Sequence, residues 1–127
     1  MNQMTAECYP VFVRYIERAT EQLKKLKEEK AQILNCPAPL HETDRQYLLS
    51  SLRLIEVEEA FYQKRKAENE KKKSEVIAFV ESIDDHFMRE ILTMRCIEGL
   101  TIQEIADNVF FSPTWVSLQI HKAFSSV

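Results

Sequence analysis

The residues best suited to recognition chemistry lie between Thr101 and Lys122. Thr114, Ser117, Leu118 and His121 are spaced i, i+3, i+4 and i+7, which places them on one face of a helix. Threonine and serine hydroxyls donate to or accept from base edges and phosphates, and a leucine can touch a thymine methyl. Lys122 follows as the one basic residue of that stretch. Ser112 and Thr101 stand where helices begin, and the free N–H groups there favour phosphate. Gln103 sits one turn behind as a further backbone contact. Together Thr101, Gln103, Ser112, Pro113, Thr114, Ser117, Leu118, His121 and Lys122 form a candidate surface for double-stranded DNA.

Those side chains need two short helices held close together, and the boundary residues for them are present. Ser112 followed by Pro113 combines a serine N-cap with a proline at the first helical position. The final helix then runs to about Phe124 and buries Val116, Ile120 and Ala123. Thr101 with Glu104 has capping-box spacing and opens the preceding helix, which buries Ile102, Ile105 and Ala106. A turn over residues 108–111 separates the two, and small Ala106 lets them cross closely. Gly99, the only glycine, falls at the C-cap of a helix from Asp85 to about Glu98. That helix is expected to be N-capped by Asp84 and to bury Phe87, Ile91, Leu92 and Met94. Another helix, Ser74 to Ile83, precedes it. This order predicts a helix-turn-helix, in which one helix braces on the backbone and the next enters a major groove.

The N-terminal half has a different logic. Tyr9, Phe12, Ile16, Ala19, Leu23, Leu26 and Ile33 are spaced 3, 4, 3, 4, 3 and 7, with Lys30 in the last gap. That is a heptad seam on a long amphipathic helix from about Thr5 to Leu34. Pro10 fits in its first turn. Residues 35–42, with Pro37 and Pro39, break the helix. Thr43 and Gln46 predict a capping box for the next one, which carries Leu48, Leu52, Ile55 and Tyr62, with Leu54, Val57 and Phe61 widening the stripe. The seam can close within the chain as an antiparallel hairpin or between chains as a homodimer. Residues 63–74, QKRKAENEKKKS, are almost wholly polar and read as a charged helical linker. The expected fold is therefore all-α: a coiled-coil-like hairpin over 1–62, the linker over 63–74, and a helix-turn-helix domain over 75–127.

The string REILTMRCIEGLTIQEIADNVFFSPTWVSLQIHKAF resembles region four of bacterial sigma factors. The resemblance is carried by Gly99–Leu100–Thr101, Glu104–Ile105–Ala106, Ser112, Val116 and Lys122–Ala123. With its helical N-terminal extension the chain looks most like sigma-like late-transcription regulators of phages and prophages, the RinA/ArpU type and their small relatives. The resemblance implies a promoter-binding transcription regulator that can touch RNA polymerase. The chain departs from the pattern at Phe110, where a small turn residue is usual, and near Ser117 and Gln119, where Lys or Arg is usual.

Composition bounds the alternatives. Hydrophobic residues make up 45%, enough for a core, and one glycine with four prolines favours long helices over a sandwich. The net charge is −3. Residues 84–127 hold three bases and six acids, so the basic footprint of a nucleic-acid binder is missing there. That favours a second reading, a helical adaptor that binds polymerase or another phage protein without reading DNA. A third is a small terminase-type packaging subunit, which also joins a helix-turn-helix to an oligomerising helical region. Three dispersed cysteines without a CxxC pattern imply reduced thiols in a cytoplasmic protein. His86 and His121 have no ligand partner at metal spacing with Cys96 or His41. The acidic pairs Asp84–Asp85 and Glu58–Glu59 lack a nucleophile or phosphate loop. Neither an enzyme, a metal site nor a cofactor is expected. No run of about 18 apolar residues suggests a membrane span. Trp115, beside the last helix, can stack on a sugar–phosphate backbone or pack on a neighbouring helix.

Overall fold

The computed structural model describes residues 1–37 and 41–125. Among them the chain is all-α: α1 (Gln3–Glu7), α2 (Tyr9–Leu34), α3 (Glu42–Glu81), α4 (His86–Leu92), a π-helical turn (Thr93–Ile97), α5 (Ile102–Val109) and α6 (Pro113–Ser125). Pro39, expected in the interhelical break, and the last two residues of the 75–127 segment lie outside the described residues. No described helix is long and apolar enough to cross a membrane.

The chain divides into two compact units, Met1–Arg14 with Glu70–Val127, and Tyr15–Asn69. The boundaries expected near residues 62 and 75 are not where the units part. Residues 63–74 contain no helix breaker, so α3 runs through them without interruption.

Within Tyr15–Asn69, α2 and α3 pack antiparallel. On α2, Ala19 and Leu26 are buried, with Ile16, Leu23, Lys30 and Ile33 half-buried. Facing them are Leu48, Leu52, Ile55, Glu59, Tyr62 and Lys66 of α3, ending at buried Asn69, a matching series of alternating four- and three-residue steps. Polar seam residues are satisfied in place. Lys30 Nζ lies 3.4 Å from Glu59 Oε1, and the Asn69 amide donates to the Arg65 carbonyl at 2.7 Å. The Arg65 guanidinium lies over the Tyr15 ring.

Two expectations for this unit are corrected. Thr43 does not cap α3: the helix already starts at Glu42, and the Arg45 N–H bonds back to the His41 carbonyl. Leu54, Val57 and Phe61 do not widen the buried stripe; they are 66%, 68% and 54% exposed. Two antiparallel helices cover only the narrow seam, and flanking positions need a further layer to bury them.

The other unit holds one core: Ala6, Tyr9 and Phe12 from the N-terminal turns, Val76, Phe79 and Val80 from α3, and Ile91, Leu92, Cys96, Ile105, Ala106, Val116 and Ile120. Phe79 stacks on Phe124 at 4.9 Å, and Lys72 lies over Phe12. Pro10 splits what reads as a single N-terminal helix, because it has no N–H and its ring crowds the preceding turn. The chain accordingly breaks at Cys8, between α1 and α2.

Asp85, rather than Asp84, caps α4, accepting from the Met88 N–H at 3.0 Å. The helix from α4 then widens into the π turn. The Glu98 N–H reaches the Thr93 carbonyl and the Leu100 N–H reaches Met94, around left-handed Gly99 (φ 72°). Cys96 is fully buried in this turn, and burial, with Glu7 nearby, pushes its thiol pKa up to about 12 against the opposing pull of Arg95.

Candidate nucleic-acid interface

α5 and α6 are built from their caps inward. The Thr101 hydroxyl accepts from the Glu104 N–H at 3.1 Å and also lies 3.2 Å from Glu104 Oε1. Ser112 Oγ accepts from the Trp115 N–H at 3.1 Å, and its carbonyl accepts from Val116, so α6 begins at Pro113. Between them α5 extends to Val109, one residue beyond Asn108, whose amide donates to the Glu104 carbonyl. The turn is therefore Phe110, Phe111 and Ser112, later than the expected 108–111. Phe110 takes the left-handed conformation (φ 62°, ψ 34°) that normally falls to glycine. The two helices pack together through Ile105 and Ala106 on α5 and Val116 and Ile120 on α6, all at most 2% exposed.

α6 turns a mostly polar face, interrupted by Leu118, to solvent. Thr114, Ser117, Leu118, His121 and Lys122 are all exposed, and Ser112 and Pro113 are exposed at its start. These seven share one helix and its cap. Thr101 and Gln103 are exposed on the first turn of α5, but both side chains are engaged locally. The Thr101 hydroxyl serves as cap, and the Gln103 amide donates to Asp107 Oδ1 at 2.9 Å. Each would have to give up or share an existing bond to contact phosphate.

Two arginines of this unit, Arg89 and Arg95, are committed internally. Arg89 donates from Nε and Nη2 to the Ile83 carbonyl at 2.9 and 2.6 Å, holding the α3–α4 connection. Arg95 pairs with Glu7 Oε1 at 3.2 Å through Nε and donates from Nη1 to the Leu100 carbonyl at 3.0 Å. His86 is paired with Glu90 at 3.2 Å. Among the described residues no group of His, Cys, Asp and Glu is arranged to hold a metal ion.

An aromatic cluster beside the polar face was missed from sequence. Phe111 stacks on Trp115 with centroids 4.1 Å apart, and Phe87 lies 5.9 and 6.1 Å from these two rings. Trp115 is thus packed on its neighbours rather than projecting alone. Phe87, expected in the core, is 38% exposed; Phe111 is 47% and Phe110 is 93% exposed. The signal for the cluster was present in the Phe110–Phe111 pair, which occupies a turn where polar residues are usual. Compared with protein-family models, curated proteins and solved structures, the chain matches none.

Proposed function

We propose that the chain is a sequence-specific DNA-binding transcription regulator of the phage or prophage kind, in which α5–turn–α6 is a sigma region four-like helix-turn-helix and α2 with α3 forms a coiled-coil-like hairpin. α5 braces on the DNA backbone, and α6 reads the major groove with Thr114, Ser117, Leu118 and His121. Lys122 and the Thr114 N–H meet phosphate at α6, where Ser112 already takes up the Trp115 and Val116 N–H groups. At a promoter, RNA polymerase is the second partner. The observation that carries this reading is the face of α6: a capped helix start followed by an exposed row of small hydrogen-bonding side chains, with the opposite face fastened to α5 through Ala106 and Val116. The test is fluorescence anisotropy of the full chain against labelled upstream fragments of its own genome with random DNA as competitor. At least one fragment should resist competition, and Thr114→Ala with Ser117→Ala should abolish that preference. If every fragment is displaced as easily as random DNA, the reading fails.

A second reading, a helical adaptor that binds protein through the same unit, is favoured by two observations. Arg89 and Arg95 are engaged with backbone carbonyls and Glu7. The aromatic cluster at the turn is half-exposed.

A further inference from the structure

The heptad seam that sequence leaves open between an intrachain and an interchain use is closed within Tyr15–Asn69, so it is unavailable to a partner. α3 carries a second apolar row that is not covered. Tyr47, Leu54, Val57 and Phe61 are spaced 7, 3 and 4 and are 72%, 66%, 68% and 54% exposed. At 3.6 residues per turn this row lies roughly 140° round α3 from the buried seam. A helix in water gains nothing by repeating large apolar residues at heptad spacing on an open face, whereas a helix that meets another helix there does.

We propose that this ridge on α3 is the seam along which a second copy of the chain docks, giving a two-fold assembly of two α2–α3 pairs. Three features favour a second copy as the occupant. The first is area: with large side chains presenting about 150–250 Å² each, the exposed fractions amount to roughly 450 Å². A standard interface buries about 800 Å² per partner, about 65% of it apolar in homodimers, or roughly 500 Å². The ridge supplies nearly all of that share. The second is charge: residues 15–69 hold ten Lys or Arg and ten Asp or Glu, so two copies of this unit meet without net repulsion. A strongly charged partner has no complementary field here. The third is shape: shallow grooves flank the ridge, one of about 400 Å³ beside Ile33, Tyr47 and Leu54, and one of about 160 Å³ beside Tyr15, Arg18 and Phe61. Ridge into groove and groove onto ridge is the self-complementary pattern a two-fold axis requires.

Sedimentation equilibrium of the full chain through the micromolar range tests this. The expected result is a concentration-dependent rise to twice the chain mass of 14.9 kDa. Leu54→Glu with Phe61→Glu should hold the chain at single mass with unchanged helical circular dichroism. The milder pair Leu54→Ala with Phe61→Ala should weaken association about tenfold or more. Leu49→Glu changes an exposed leucine on another face of α3 and should leave the dimer intact. The proposal is overturned by a wild-type chain that stays at single mass, by a mass beyond two chains, by a dimer that survives the double glutamate variant, or by equal dissociation with Leu49→Glu. Each readout is a mass, so DNA binding does not enter it.

Discussion

Replacing Phe110 with glycine should make the protein more stable, although it removes one of the two phenylalanine side chains of the turn. At φ 62° and ψ 34° a residue with a Cβ is held against the following carbonyl, at a cost of about 1–2 kcal/mol. Glycine relieves that but loses about 0.4–1 kcal/mol through the greater freedom of its unfolded chain. Lost packing adds little, because the Phe110 side chain is 93% exposed. The difference leaves a gain of about 0.5–1 kcal/mol. Phe110→Asn, which tolerates the same conformation without the glycine penalty, should gain at least as much. Phe110→Val, β-branched, should lose about 1 kcal/mol or more. Urea unfolding followed by tryptophan fluorescence is the assay. Trp115 is the only tryptophan and stacks on Phe111, so the signal reports on this unit alone. With a slope of about 1–3 kcal/mol per molar, the midpoint for Phe110→Gly should rise by a few tenths of a molar or more. A midpoint that falls by a comparable amount would refute the reasoning, because it would mean the ring contributes packing that outweighs the backbone strain.

Gly99→Ala should act in the opposite direction. It forces a Cβ into φ 72° and 3.2 Å from Pro10 Cγ, so a loss of about 1–2 kcal/mol or more is expected in the same urea assay. Cys96 sets an alkaline limit. Its folded pKa, about 12, lies above the ordinary thiol value of 9.0, so its contribution is intact below about pH 9 and declines as pH rises towards 12. The decline is at most about 1.4 kcal/mol per pH unit and should vanish in Cys96→Ala, as read by unfolding midpoints between pH 8 and 11 (about). At neutral pH a thiol-alkylating reagent should label exposed Cys36 in the native protein and spare Cys96.

What could be read before folding was what is chemically local. Ser112, Thr101 and Gly99 mark helix ends because a cap is made by a residue and its neighbours three positions away. The heptad seam of α2 was equally plain, because its period is a property of one helix. Errors arose where two neighbouring residues can do the same local job, as with Asp84 and Asp85, or where the helix begins before the expected cap, as at Thr43. The exposure of Leu54, Val57, Phe61 and Phe87 was not legible, because it depends on how many layers cover an element rather than on that element's own pattern. Nor was the fate of Arg95, whose carboxylate partner lies 88 residues away in sequence.

The internal commitment of Arg89 and Arg95 has a thermodynamic consequence for DNA binding on the proposed reading. Affinity gained by expelling condensed counterions scales with the number of phosphates neutralised, at a slope of about −0.9 in log K against log salt for each. On that reading α6 would offer at most one basic residue, Lys122, to the groove. Such a module would release few ions, and its binding would respond only weakly to salt. It would also linger little on random sequence, because non-specific residence is almost wholly electrostatic. Discrimination would then rest on the hydroxyl and leucine contacts of α6. The chain would find its site by repeated collision from solution rather than by sliding along the duplex.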